Sequence, residues 1–191
     1  MKKIASPLFQ DLSEAELDTL AAAGHLRTRQ FAKHEVIFRA GSCVREIGIV
    51  LRGSVHIENL DLWGTKSILS SVGAGQAFAE TYAFCGEALM VDAVAAEHCE
   101  ILFLHTAAFT DARIEPALQD KLLRRLLAVS MRKNLSLSQR IFCTTPKTVR
   151  GRLLTYFSAQ AARCGRMEFE VPFNRQQMAD YLNLDRSALS K

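Results

Sequence analysis

The sequence predicts an α+β protein in which a sheet-rich N-terminal part is followed by helices. Glycines recur at positions 41, 53, 64, 75 and 86, an interval of 11 or 12 residues that is typical of strands and turns in a sandwich or barrel. A wide apolar stripe after residue 115 predicts one long helix, and the pattern that begins at Asn174 predicts two short helices joined by a turn. We therefore expect a β domain over 1–114, a helix over 115–143 and a helical domain over 144–191.

The composition is that of an ordinary globular protein without a membrane partner. Hydrophobic residues make up 49% of the 191 residues and charged residues 23%. No apolar run approaches the roughly 20 residues that a spanning helix needs, and residues 1–7 lack the apolar core of a signal peptide. The expected location is the cytoplasm.

The cysteines favour neither a disulfide framework nor a closed zinc site. Their number is odd, they are widely spaced, and none forms a C-x-x-C pair. We expect small buried hydrophobic residues, with one redox-sensing thiol as the alternative. The five are Cys43, Cys85, Cys99, Cys143 and Cys164.

The first predicted element is a short helix that begins at a capping box. Ser13 stands three residues before Glu16, so each side chain can bond the other's backbone N–H. Leu17 and Leu20 give the helix an apolar face, and Gly24 is a suitable stop.

Short segments rich in β-branched and aliphatic residues follow, from Arg27 to His105. They predict the strands of the β domain, with a hairpin turn at Asp61-Leu62-Trp63-Gly64. The predicted strands are Val36 to Phe38, Ile47 to Leu51, Val55 to Leu60, Ser67 to Val72, Met90 to Ala95 and Glu100 to His105.

Three runs in this region resemble the cyclic-nucleotide-binding β-roll of the CRP/FNR transcription regulators. They are Glu35-Val36-Ile37-Phe38-Arg39-Ala40-Gly41, the run from Ile47 to Val55, and Gly75-Gln76-Ala77-Phe78-Ala79-Glu80. The resemblance implies a double-stranded β-helix, or jelly-roll, β-roll sensor domain whose sharp turns fall at the glycines. It also implies that the long helix is a dimerisation helix and that a winged helix-turn-helix follows.

The resemblance also implies where an effector would bind. In members that bind cyclic AMP, a Glu after the glycine holds the ribose, and an Arg-Ser or Arg-Thr pair about ten residues later holds the phosphate. Glu80 matches the first element, but Leu89 and Met90 stand near the second, without a cation or hydroxyl to neutralise a buried phosphate. Cyclic AMP is therefore not the expected effector.

A pocket for an apolar or planar ligand is the expectation instead. The candidates to line it are Glu80, Tyr82, Phe84, Leu89 and Met90. The alternative is that these apolar residues are simply core.

Other sensing modes of the family remain open on the sequence. An N-terminal iron-sulfur cluster is not expected, because no cysteine precedes Cys43. A haem ligand among His98, Cys99 and His105, or a thiol switch at Cys43, Cys85 or Cys99, stays an alternative. No cofactor is assigned.

An enzyme is not expected. A metal-dependent cupin shares a β-barrel of this size but needs a clustered His-x-His, which the five histidines do not provide. The sequence shows neither the pattern of a Ser-His-Asp catalytic triad nor a glycine-rich phosphate-binding loop.

The long helix carries two neighbouring apolar rows. Leu118, Leu122, Leu126 and Val129 form one row, and Leu123, Leu127, Met131 and Leu135 form the other. A stripe this wide favours contact with both the β domain and a second copy of the chain. The candidate dimerisation residues are Leu122, Leu123, Leu126, Leu127 and Met131. The alternative is a helix buried entirely within one chain.

A hinge is predicted over Thr144-Thr145-Pro146, with Thr145 as cap and Pro146 at the first position of a helix that runs from Lys147 to Arg163. Alternating apolar and polar residues from Met167 to Phe173 then predict an edge strand.

The last segment has the pattern of a helix-turn-helix. Asn174 and Gln177 form a capping box, and Met178 and Leu182 share the buried face. Ala179 allows two helices to approach closely, and Asn183 tolerates a left-handed turn. Asp185 can cap a second helix. An ordinary helical hairpin is the alternative.

The charge distribution agrees with a DNA partner. Residues 1–110 carry 9 basic and 13 acidic residues, a net charge of −4, whereas residues 111–191 carry 15 and 7, a net charge of +8. By family position, Arg175 would contact phosphate, with Gln176 beside it, and Arg186, Ser187 and Lys191 would face the major groove. Many members have Glu where this chain has Ser187, so the usual half-site is in doubt.

The sequence thus predicts a homodimeric transcription regulator that binds double-stranded DNA and, by resemblance, works with RNA polymerase. The alternative is a ligand-binding or interaction module without DNA binding. A winged domain that stops at Lys191 is incomplete, so the natural protein is expected to continue for roughly 25 to 40 residues.

Overall fold

A computed structural model of the chain describes residues 4–60, 66–171, 173–185, 187 and 189. The chain forms two compact units, residues 1–130 and residues 131–191. The boundary between them falls inside the helix predicted over 115–143, so the three-part division of the chain stays a prediction. The hairpin turn predicted at residues 61–64 lies outside the described residues.

Unit 1 begins with a short 3-10 helix, Pro7–Phe9, and then helix α1, Glu14–Ala22. The predicted capping box is confirmed, because the Glu16 backbone N–H donates to Ser13 Oγ at 3.2 Å and the Ser13 backbone N–H donates to the Glu16 carboxylate at 2.7 Å. Leu17 and Leu20 lie in the core.

Among the described residues of unit 1, eight strands form two antiparallel sheets. The order is β1-β8-β3-β6 in one sheet and β2-β7-β4-β5 in the other. Each predicted strand is present with small shifts at its ends, whereas β1 and β6 were not predicted. The strands are β1 Leu26–Phe31, β2 Val36–Phe38, β3 Glu46–Arg52, β4 Val55–Leu60, β5 Lys66–Val72, β6 Ala77–Phe78, β7 Asp92–Ala95 and β8 Cys99–His105.

The inner faces of the sheets bury aromatic residues. Phe103 on β8 contacts Phe31 and Phe38 edge-on, with ring centroids 6.1 and 5.6 Å apart. Gly48 permits β3 to approach β6, because a Cβ at that position would lie only 2.2 Å from the ring of Phe78. These aromatic residues therefore form part of the hydrophobic core of the β-roll.

Helix α3, Pro116–Thr144, carries the two predicted apolar rows. Leu118, Leu122 and Leu126 are buried in the core of unit 1, which also contains Ile47 and Leu104 from the sheet. The second row is exposed: Leu123, Leu127, Met131 and Leu135 show 46, 56, 56 and 59% of their surface. The first row therefore packs within unit 1, whereas the second row leaves apolar surface exposed to solvent.

The start of helix α4, Val149–Cys164, corrects the prediction for the segment before it. Thr148, not Thr145, is the N-terminal cap, and its Oγ accepts the Gly151 N–H at 3.0 Å. The Thr145 hydroxyl donates instead to the Ile141 carbonyl at 2.8 Å, so Thr145 completes the end of α3. Pro146 consequently lies between the helices and not in the first turn of α4.

The predicted edge strand from Met167 to Phe173 is wrong for the described residues of that segment. Residues 168–171 are irregular, and unit 2 contains no strand among the residues that are described. A strand is held by backbone bonds to a second strand, and the described residues of this unit include no such partner. Pro172 lies outside the described residues.

Helix α5, Arg175–Leu182, completes the described elements of unit 2. Met178, Ala179 and Leu182 are its buried residues, as the sequence predicts. Met178 and Leu182 join Tyr156 of α4 and Cys143 of α3 in a small apolar core. This core, called the unit 2 core below, brings the end of α3, the middle of α4 and α5 together.

Candidate effector and nucleic-acid sites

The first candidate site surrounds helix α2, Glu80–Cys85, which follows β6 directly. Its N-terminal cap, Ala79, has a left-handed backbone with φ 61°. That sharp turn places the carboxylate-bearing Glu80 in the first helical turn, where it is buried with 5% of its surface exposed. Glu80 is thus a buried carboxylic acid at the start of α2, and its role toward an effector stays a prediction.

The segment around Leu89 is bonded through its backbone to the segment around Gly41. Gly41 N–H donates to the Leu89 carbonyl at 2.7 Å, and Leu89 N–H donates to the Ser42 carbonyl at 3.0 Å. Close by, the Asp92 carboxylate accepts the Ala40 N–H at 2.7 Å. A carboxylate in this position disfavours a bound phosphate, because like charges repel.

The predicted pocket residues do not share one environment. Leu89 is buried at 5% exposure, whereas Met90 is 76% exposed. Phe84 is half exposed and packs edge-on against Phe109, with ring centroids 5.5 Å apart. Tyr82 is partly buried. Leu89 thus belongs to the core, while Phe84 on α2 and Met90 after it are exposed.

The candidate haem ligands and thiols also separate by environment. Cys99 is fully buried, and its Sγ donates to the carbonyls of Ser54 and Glu97 at 3.0 and 3.1 Å, which suits a structural residue. His105 Nδ1 accepts the Ala107 N–H at 3.0 Å and caps a short helix. Cys43 and Cys85 are exposed. No group of three or more His, Cys, Asp or Glu side chains suited to a metal ion lies within the described ranges.

One buried polar contact was not found from the sequence. His25, 7% exposed, lies with Nε2 2.7 Å from Asp111 Oδ2. Arg113 also donates to the Asp111 carboxylate, at 2.6 Å from Nη2. This guanidinium, with a smaller contribution from His25, holds the pKa of Asp111 well below its ordinary value. The contact joins the start of β1 to the turn before α3.

The second candidate site is built on α5. The predicted capping box is confirmed: Gln177 N–H donates to Asn174 Oδ1, and Asn174 N–H donates to Gln177 Oε1, both at 2.9 Å. Asn183 has the predicted left-handed backbone, with φ 53°. Leu184 N–H donates back to the Ala179 carbonyl at 2.9 Å, which closes the helix end with a tight turn.

The predicted DNA-contacting residues are only partly described. Arg175 and Gln176 lie exposed in the first turn of α5, and Gln176 Nε2 donates to Asp180 Oδ1 at 2.9 Å. Ser187 is exposed beyond the turn. Arg186 and Lys191 lie outside the described residues, as does most of the predicted second helix. Their contact with DNA stays a prediction.

Two arginines near this turn were missed by sequence reasoning. Arg140 of α3 and Arg152 of α4 both direct their guanidinium groups at backbone carbonyls at the end of α5. Nothing in the local sequence marks them, since their partners lie 30 to 41 residues away along the chain.

The candidate dimerisation residues divide between core and surface. Leu122 and Leu126, at 0 and 5% exposure, pack inside unit 1 and offer no surface to a partner. Leu123, Leu127 and Met131 are the candidates that expose apolar surface.

Among the described residues, none of the helices combines the length and the hydropathy that a membrane span requires.

Residues 28–113 match a family model described as the cyclic nucleotide-binding domain. This range runs from β1 to the turn before α3. A search of curated proteins gave no match. The β-roll of this chain is thus similar in fold to a cyclic nucleotide-binding domain.

Solved structures share the fold at low sequence identity. A cyclic nucleotide-binding domain from Methylobacillus flagellatus KT is 20% identical, with a TM-score of 0.62, over 74% of this chain and 79% of its own. The catabolite activator protein of Thermus thermophilus is 24% identical, with a TM-score of 0.54, over 97% of this chain and 84% of its own. FixK2 from Bradyrhizobium japonicum is 18% identical, with a TM-score of 0.57, over 86% and 81%.

Proposed function

We propose that this protein is a homodimeric, sequence-specific DNA-binding transcription regulator of the CRP/FNR type, which acts in the cytoplasm with RNA polymerase. One observation carries the proposal: a chain with a cyclic nucleotide-binding fold over residues 28–113 also contains a capped helix that ends in a left-handed turn at Asn183. Regulators such as the Thermus catabolite activator protein align with 97% of the chain. The net charge of +8 over residues 111–191 supports a polyanionic partner.

In this proposal the β-roll senses an effector and the helices of unit 2 read DNA. Arg175 contacts phosphate at the start of α5, Gln176 lies beside it, and Arg186, Ser187 and Lys191 face the major groove. A twofold dimer places two such segments about one helical turn of DNA apart. An effector acts by favouring one arrangement of the two DNA-binding parts over another.

Salt-dependent binding to duplex DNA tests the proposal. We expect the affinity to fall steeply as salt rises, because phosphate neutralisation releases counterions. Arg186→Ala should weaken binding to a preferred duplex by about 1 to 3 kcal/mol if its guanidinium reads a guanine. An equal loss on preferred and random duplexes would assign Arg186 to phosphate. A chain that binds no duplex at any salt concentration would favour the alternative, an interaction module without DNA binding.

The exposed row on α3 is proposed as the dimer interface. Leu123, Leu127 and Met131 leave about half of their surface in water, an arrangement that a partner helix would relieve. Leu127→Asp should shift sedimentation from dimer to monomer, because a carboxylate would be buried in the interface. Asn134→Asp on the same helix adds the same charge at an exposed polar position and serves as the control. A dimer that survives Leu127→Asp would place the interface elsewhere.

The effector is proposed to be something other than cyclic AMP. The apolar side chains of Leu89 and Met90 support this, and the Asp92 carboxylate, which accepts the Ala40 N–H, adds a negative charge to the same segment. An apolar or planar ligand beside α2, a haem, or oxidation of exposed Cys43 or Cys85 remain the classes to distinguish. Absorbance and mass spectrometry of the purified protein separate them, and saturable binding of cyclic AMP in calorimetry would refute the proposal.

A further inference from the structure

The backbone carbonyl groups at the end of α5 accept hydrogen bonds from two arginines that are distant along the chain. The last carbonyls of a helix have no partner within the helix. Here they belong to Asp180, Tyr181 and Leu182, and the carbonyl of Asn183 follows at the turn. Within the turn itself, only the Asn183 N–H reaches the Asp180 carbonyl, at a long 3.3 Å.

Arg140 and Arg152 cover all four carbonyls. Arg140 donates from Nε to Tyr181 O at 3.1 Å and from Nη2 to Asp180 O at 2.9 Å. Arg152 donates from Nη1 to Leu182 O at 3.0 Å and to Asn183 O at 2.7 Å. Two cations at the negative end of a helix are favourable for the helix dipole as well as for the individual bonds.

The same guanidinium of Arg152 also reaches the segment between α3 and α4. Its Nε donates to the Pro146 carbonyl at 2.8 Å. Arg140 lies on α3, and its guanidinium carbon lies 6.0 Å from the Tyr181 ring centroid. The two side chains therefore tie the end of α3, the segment at Pro146 and the end of α5 to one another within unit 2.

We infer that Arg140 and Arg152 are positioning residues that fix the end of α5 and the turn at Asn183, and so set the direction in which residues 185 onward leave α5. This inference rests on the proposed DNA-binding function for its consequence. It assigns these two arginines a role different from that of exposed Arg150, which lies on the same helix as Arg152 and is free to meet a phosphate. Arg152 donates to three backbone carbonyls and Arg140 to two, and neither can give these donors to DNA without releasing the carbonyls.

Arg140→Met and Arg152→Met test the inference, because methionine keeps much of the apolar stem and removes every donor. The first readout is NMR hydrogen exchange at the Asn183 and Leu184 amides, both of which donate to the Ala179 carbonyl in the wild type. We expect exchange at these amides to accelerate about tenfold or more in both variants, the size that the loss of charge-assisted bonds predicts. Arg150→Met is the matched control and should leave both amides unchanged.

The second readout compares two duplexes: one selected by the wild-type chain from a random pool, and a scrambled version of it. Arg152→Met should lower the preference for the selected duplex about tenfold, with no change in the slope of affinity against salt. Arg150→Met should weaken both duplexes equally and lower the slope. Arg152→Lys should recover part of the preference, since one ammonium can reach a carbonyl but cannot bridge Pro146 and the turn.

The outcomes separate the two proposals. Unchanged exchange at Asn183 and Leu184 in both methionine variants would overturn the positioning role, whatever the DNA result. An equal loss on both duplexes with a lower salt slope for Arg152→Met would make Arg152 a phosphate contact instead. If the wild type selects no duplex, the proposed DNA binding fails while the exchange measurement still decides the positioning role. If Arg152→Met does not fold, Arg140→Met and Arg152→Lys decide it.

Discussion

The two units of the chain are stabilised in different ways. Unit 1 has large apolar clusters between two four-stranded sheets and under α3. Among its described residues, unit 2 has a small buried core of Cys143, Tyr156, Met178 and Leu182, with partly buried residues around it. Its helix ends are held by arginine side chains bonded to backbone carbonyls. Apolar burial is not directional, whereas hydrogen bonds are. We therefore expect core substitutions to lower the stability of unit 1. Substitution of the bonded arginines should instead change the local geometry at the end of α5 in unit 2.

The largest effect should come from the core of unit 1. Phe103→Ala removes a ring that contacts Phe31 and Phe38 and is 1% exposed. The cavity should cost about 3 to 5 kcal/mol of the free energy of unfolding. Hydrogen exchange across β8 measures it, and Phe84→Ala, at a half-exposed ring, is the control expected to cost about 1 kcal/mol or less. Similar losses at both positions would remove the contrast between core and surface.

A smaller effect is expected at the turn of unit 2. Asn183→Ala should cost about 1 to 2 kcal/mol of local stability, because alanine tolerates the left-handed backbone poorly. Asn183→Gly is the matched control and should be close to neutral. Exchange at the Leu184 amide reports the difference. If alanine and glycine behave alike, the turn is not held in the left-handed conformation in solution.

The unit 2 core offers a change in the opposite direction. The Tyr156 hydroxyl is buried and has no hydrogen-bond partner within the described residues. Burial also raises the pKa of Tyr156. Tyr156→Phe should therefore stabilise unit 2 by about 1 kcal/mol or leave it unchanged. Denaturant unfolding of the two proteins gives the comparison, and a clear loss of stability in the phenylalanine variant would contradict it.

The smallest effect is a polar one in unit 1, and it should vanish in acid. The pKa of Asp111 is lowered in the folded protein, so its contribution to stability is complete above the ordinary value of 3.8 and is lost as pH falls through the lowered value. Asp111→Asn should lower stability at neutral pH, and its difference from the wild type should shrink below about pH 4. Thermal unfolding from pH 7 to pH 2 measures this. A difference that stays constant would show that the carboxylate charge is not the cause.

The helix caps show how far local sequence can predict structure. Ser13 with Glu16, and Asn174 with Gln177, each bond atoms three residues away, so their geometry follows from the local chain. The strands of unit 1 were predicted for a related reason, because β-branched residues and glycine spacing mark them. β6 was missed because two residues carry too little pattern.

The errors arose where the local pattern allowed two outcomes. Thr145 and Thr148 are both acceptable caps, and the choice depended on which hydroxyl met the end of α3. The segment from Met167 to Phe173 has the alternation of a strand, but a strand also needs a partner strand to pair with. The candidate pocket was predicted from positions alone, and the fold buried Leu89 while it exposed Met90.

The sequence by itself determined strands β2, β3, β4, β5, β7 and β8, several glycine turns of the β-roll, both capping boxes, the left-handed turn at Asn183 and the presence of two apolar rows on α3. Each depends on bonds or periodicities within a few residues. Only the tertiary structure decided that Leu122 is buried while Leu123 is exposed, and that Arg140 and Arg152 bind the end of α5. These outcomes depend on partners that are distant along the chain. Local sequence patterns do not specify which distant part of the backbone lies beside a given side chain in the folded protein.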